Sequence, residues 1–135
     1  MSRTVKNIAW SIASLLVGAV LYILCRPDTY IGKIFSGHQN IDVLREKVAP
    51  FVVNLHCYLP DFLWALALSC SLHAVFLPKG KGVIVCAGTA LAAGILWELM
   101  QVCGIVTGTG DGVDVLMYLC GGLVSVIINL KEIGK

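Results

Sequence analysis

Seven residues in this chain have types and spacing that could do chemistry. Glu98 and Gln101 close one apolar stretch, in Trp97-Glu98-Leu99-Met100-Gln101. Asp111 and Asp114 open the next, in Gly110-Asp111-Gly112-Val113-Asp114. Asp61 and Trp64 begin a third apolar run that is led by Pro60. An ionisable side chain beside lipid is costly, so each acid here is a candidate site residue. An acidic cluster of this kind suits a cation or a positively charged ligand group, because two aspartates would repel an anion. A bland role stands beside each. Asp111 fits an N-cap and Asp114 the third helical residue, Asp61 complements a helix dipole, and Glu98 could simply bond a neighbouring helix.

Helical spacing decides which way these groups face. Cys86, Ala90, Gly94 and Glu98 recur every four residues and share one helix face. Small residues let backbones approach, which sets Glu98 at the top of a packed seam with Gln101 three residues on. Asp111, Asp114, Tyr118, Gly121 and Ser125 likewise share one face of the following helix. Trp64 and Trp97 supply apolar cover.

The elements that must hold these residues are membrane spans. The 135 residues are 58% hydrophobic and 13% charged, with mean hydropathy +0.86. A soluble domain carries about 25% charged residues. The expectation is an all-α, polytopic membrane protein, a bundle of about four transmembrane helices forming one domain over 1–135. The spans are read at about 8–25, 60–77, 83–102 and 112–130. The net charge of +2 argues against a nucleic-acid partner. The polar stretch from Pro27 to about Lys47 carries Ile41, Val43, Leu44 and Val48 at partly amphipathic spacing, which predicts a short surface helix. Residues 50–58 are apolar but too short to cross, and read as interfacial or re-entrant. Ser14/Gly18 and Gly121/Gly122 are small-residue faces through which a homo-oligomer could form.

Charge predicts the orientation. Arg3 and Lys6, then Lys79 and Lys81, then Lys131 and Lys135 flank alternate span ends, and the third loop has neither Lys nor Arg. The first loop dissents in part, with Arg26, Lys33, Arg45 and Lys47 offset by three acids. The positive-inside rule puts both termini in the cytoplasm and the acids of three helices at the outer face. Six scattered cysteines without CxxC spacing read as packing residues, with Cys57 and Cys103 the pair to examine for a disulfide. His73 reads as a packing or hydrogen-bonding residue.

Enzyme signatures are missing. There is no serine elbow, HExxH or P-loop. Asp111-Gly112-Val113-Asp114 lacks the Ala-Arg and the later aspartate pair of lipid-alcohol phosphotransferases. No cofactor or metal is expected.

Glu98-x-x-Gln101, about ten residues, Asp111-x-x-Asp114 and then Gly121-Gly122 together resemble the VanZ-like membrane protein family. The likeness covers the last third of the chain, with a looser match at Pro60-Asp61-Phe62-Leu63-Trp64. Members often carry an arginine before the aspartate, where this chain has Val106-Thr107-Gly108-Thr109-Gly110. The resemblance implies a bacterial cytoplasmic (inner) membrane protein of the cell envelope, whose founding member is linked to resistance to a lipid-bearing glycopeptide. The expected function is non-enzymatic binding of a membrane lipid, a lipid-linked envelope precursor or another amphipathic cation, through Glu98, Gln101, Asp111, Asp114, Asp61, Trp64 and Trp97. The alternatives are a small proton- or cation-coupled transporter acting as an oligomer, and a lipid-headgroup enzyme.

Overall fold

The structure is a computed structural model that describes residues 2–25, 33–35, 37–52, 55–106 and 110–134. Among them are five α-helices and no strand: α1 (Arg3–Cys25), α2 (Gln39–Val52), α3 (Leu55–Phe76), α4 (Lys81–Val102) and α5 (Gly112–Ile128). A 3₁₀ turn, Leu130–Glu132, follows α5. Three helices contain segments long and apolar enough to cross a membrane: Arg3–Cys25, Tyr58–Phe76 and Lys81–Val102. The fourth apolar helix, α5, has 17 residues. At 1.5 Å per residue it spans roughly 25 Å, a little under the hydrocarbon thickness.

α1, α3, α4 and α5 alternate in direction. α3 is the hub, packing against α1, α4 and α5, while α4 and α5 also pack together. The core of this bundle is built from small residues, among them Ala65, Ala67, Cys70, Ala87 and Ala90, each buried. Large apolar residues such as Leu16, Ile84, Leu96 and Ile127 face outward. That inversion is what a lipid-facing surface requires, since lipid offers no hydrophobic force between helices and close backbone packing replaces it.

Gly121 shows how close the backbones come. A Cβ there would lie 2.5 Å from the Phe62 carbonyl oxygen and 3.0 Å from Leu66 N. Gly122 faces Ala87 instead, where a Cβ would sit 3.4 Å from the carbonyl oxygen. Ser14 is buried as well. Ser14, Gly121 and Gly122 thus pack within one chain, while Gly18 is half-buried with nothing within 4 Å of an added Cβ.

A polar cluster ties the chain together at the end that holds both termini. The Asn7 and Asn129 amides exchange two hydrogen bonds, each 2.9 Å. Ser11 pairs with Ser71, and Ser69 with Ser125. Lys6 Nζ donates to the Ile128 carbonyl at 2.7 Å. Arg3 donates to the Pro78 carbonyl and lies 3.6 Å from Glu132. The α3–α4 turn joins this end through Gly80 N, which donates to the Glu132 carbonyl at 2.8 Å. His73 is fully buried and its Nδ1–H donates to the Ser69 carbonyl, a hydrogen-bonding role of the kind expected.

Some boundaries differ from expectation. α3 starts at Leu55, so Pro60 lies in its second turn and not at its first position. A proline that near the helix start removes only one ladder bond, which the helix tolerates. Residues 50–52 end α2 and 55–58 begin α3, while 53 and 54 lie outside the described residues. The helix expected in the first loop is present as α2, packed on α1. Arg45 donates to the Ile23 carbonyl at 2.8 and 3.0 Å and pairs with Asp42 at 2.9 Å. Cys70 and Cys86 are buried packing residues, and Cys103 is an exposed free thiol. The side chain of Cys57 lies outside the described residues.

Candidate functional site

At the end opposite the Asn7–Asn129 pair, three helices meet at one phenol. Tyr118, on α5, is 2% exposed. Its hydroxyl lies 2.8 Å from Glu98 Oε1 on α4 and 3.0 Å from Asp61 Oδ1 on α3. Gly94 makes room for the ring: a Cβ there would overlap Tyr118. The every-fourth-residue seam on α4 thus has a specific purpose, which is to let an aromatic ring lie flat beneath Glu98.

A phenol carries one hydrogen. It can donate to Asp61 or to Glu98, not to both at once. Glu98 is itself buried, at 6% exposure. Its second oxygen accepts from the backbone N–H of Asp111 at 3.0 Å. One side chain therefore joins α4, α5 and the chain entering α5. Asp111 is the N-cap of α5, with Oδ1 accepting from Val113 N at 3.0 Å. It is exposed and serves the helix start, the blander of its two roles.

Beside the triad is a cavity of about 280 Å³ lined by Tyr22, Pro60, Asp61, Trp64, Trp97 and Tyr118. Each of the four long apolar helices contributes at least one residue. Trp64 and Tyr118 meet edge to face, with centroids 5.8 Å apart and planes at 68°. Trp64 is 42% and Trp97 48% exposed, so the two indoles form the rim.

Of the seven residues singled out from sequence, the structure brings Asp61, Trp64 and Trp97 to the cavity and Glu98 to the phenol behind it. Asp111 supports Glu98. Gln101 and Asp114 are half-buried at the same end and are not among the cavity-lining residues. The carboxylate facing the cavity is that of Asp61. Sequence reasoning passed over Tyr118 and Tyr22 as site residues. Tyr118 carried a usable signal, four residues after Asp114 and three before Gly121 on the packed face. Among the described residues no three His, Cys, Asp or Glu side chains cluster as a metal ion would require.

Composition, helix lengths and the buried polar seams define a helical membrane protein with an aromatic, acid-floored cavity at one end. No protein-family model matches the chain, and no curated protein or solved structure matches it significantly.

Proposed function

We propose that this is a VanZ-like envelope protein of the bacterial cytoplasmic membrane, which crosses the bilayer four times and binds an amphipathic cation from the outer side. Both termini and the Lys79–Lys81 turn lie in the cytoplasm, and the acidic end faces out, in line with the positive-inside rule. α5 crosses as the fourth span, completed by the turn at Asn129. The bound molecule is a membrane lipid or a lipid-linked envelope precursor, and the role is envelope homeostasis or protection against glycopeptides. The observation that carries the reading is the cavity itself, in which a single carboxylate, Asp61, sits among two indoles and two phenols. Apolar walls with few polar groups are the usual make-up of a ligand site. A half-exposed rim lets an acyl or alkyl chain leave toward lipid.

The test is binding to the full chain in phosphatidylglycerol nanodiscs, read by tryptophan fluorescence. Dodecylammonium and dodecyltrimethylammonium are expected to change the emission saturably, while dodecyl sulfate does not. Asp61→Asn is expected to weaken cation binding by tenfold or more, on the order of 1.4 kcal/mol. Equal binding of the sulfate, or an unchanged Asp61→Asn variant, would sink the reading.

A second reading is favoured by one observation, the phenol shared by two carboxyl groups. A group of that kind can hold and release a proton, as a proton-coupled carrier needs. Proton uptake into proteoliposomes that disappears in Glu98→Gln would move the assignment to that class.

A further inference from the structure

We propose that the cavity selects a quaternary ammonium, the trimethylammonium group of a choline-type headgroup, over a primary ammonium. This deepens the cation-binding reading and rests on it.

The argument begins with what the walls can offer. A primary ammonium brings three N–H donors and no acceptor, and each buried donor needs a partner. The side-chain acceptors of the lining are the Asp61 carboxylate and the hydroxyls of Tyr22 and Tyr118, and Asp61 Oδ1 already lies at hydrogen-bond distance from the Tyr118 hydroxyl. That hydroxyl is in turn engaged with Glu98. Pro60 adds no donor or acceptor from its side chain. A primary ammonium entering here would have to share these few acceptors among three N–H groups. A quaternary ammonium has none to satisfy.

The walls also suit the shape and charge of such a group. Its positive charge is spread over methyl groups, which gain from contact with indole and phenol faces while Asp61 supplies the counter-charge. Trp64 and Tyr118 stand at 68° to one another. That makes a corner for a rounded group, where two parallel rings would make a slot for a flat one. Tyr22 and Trp97 add rings from two further helices. A volume of about 280 Å³ admits a trimethylammonium with its adjoining linker, and the indole rim leaves the remainder of the molecule outside.

The test uses the full chain carrying Trp10→Phe, so that the two remaining tryptophans, Trp64 and Trp97, both report from the cavity. In dodecyl maltoside, tetramethylammonium is titrated against methylammonium, and choline against ethanolamine. The quaternary member of each pair is expected to bind at least about tenfold tighter, the size of a partly desolvated cation–π contact. Trp64→Leu is expected to remove most of that preference and Trp64→Phe to keep it, because only the latter retains an aromatic face. A second arm places the protein in phosphatidylglycerol discs doped with phosphatidylcholine or phosphatidylethanolamine. A response to phosphatidylcholine assigns the group to a lipid headgroup, and a response to the free cations alone assigns it to a soluble ligand; both support the proposal. Equal or tighter binding of the primary amines overturns it and leaves the cation-binding reading in place. So does failure of all four small cations when the dodecyl cations bind, which would mean that the alkyl chain is what the protein recognises. Failure of every cation removes both.

Discussion

The phenolic hydroxyl of Tyr118 answers to two helices at once, through Asp61 on α3 and Glu98 on α4. Tyr118→Phe keeps the ring over Gly94 and removes only the hydroxyl. Two carboxyl groups then lose a partner, and the expected loss is about 2 kcal/mol, read as a lower melting temperature in maltoside. Glu98→Gln has a different outcome. Its amide oxygen can accept from Asp111 N while its NH₂ donates to the phenol oxygen, which remains free to donate to Asp61. Stability is therefore expected to stay within about 0.5 kcal/mol of the parent, whereas Glu98→Ala loses both links and about 2 kcal/mol. Equal melting of the two Glu98 variants would show that the carboxyl group is not the tie between α4 and α5. Asp61 could be picked out in the sequence as an acid opening an apolar run. That it, and not Asp114, floors the cavity depends on how far each helix is rotated about its axis, and a rotation of this kind leaves no mark in composition or spacing.

The helices were legible where apolar length is unambiguous, in α1, α3 and α4. They were less so where backbone contact decides. Gly121 and Gly122 are adjacent in sequence and look alike, yet Gly121 presses on the backbone of α3 and Gly122 meets Ala87 at an ordinary contact distance. Gly121→Ala is expected to force α5 away from α3 and to cost about 1–3 kcal/mol. Gly18→Ala and Gly88→Ala, with nothing within 4 Å of the added Cβ, are expected to be neutral or slightly stabilising through helix propensity. Thermal melts of this set check the packing directly, and a harmless Gly121→Ala would refute it. The end of α3 offers the opposite case. Leu77 has φ +47°, a left-handed conformation that a leucine adopts at a cost of about 1–2 kcal/mol. It is also exposed. Leu77→Gly is expected to raise the melting temperature, since glycine takes that conformation without the steric penalty.

Across the whole molecule, charge and polarity are divided by end, except in the first loop, whose Arg45 bonds the Ile23 carbonyl at the acidic end. Arg3, Lys6, Lys79, Lys81 and Lys131 lie with the Asn7–Asn129 cluster, and Asp61, Glu98, Asp111 and Asp114 lie at the other end. That division was readable from the sequence, because it needs only the direction of successive helices. The asparagine pair was not, since nothing local couples two residues so far apart in the chain. The orientation proposed above has a simple check. Cys103 is an exposed thiol at the acidic end. With the other five cysteines replaced by serine, a membrane-impermeant maleimide applied to intact spheroplasts is expected to label Cys103, and to leave Lys79→Cys unlabelled once Cys103 is replaced as well. The reverse pattern would invert the proposed topology.

The amide pair also bears on how the protein is made. Asn7 and Asn129 are separated by 122 positions, and each is almost completely buried against the other. α1 is synthesised before α5, so the amide of Asn7, which also donates to the Arg3 carbonyl of its own helix, meets Asn129 only after α5 has been added. A polar amide needs partners throughout, and docking of α5 exchanges those it finds at the membrane surface for Asn129. The two ends of the chain thereby act as a clasp. A polypeptide truncated before Asn129 would leave it open, presenting quality-control proteases with a first helix that never found its closure.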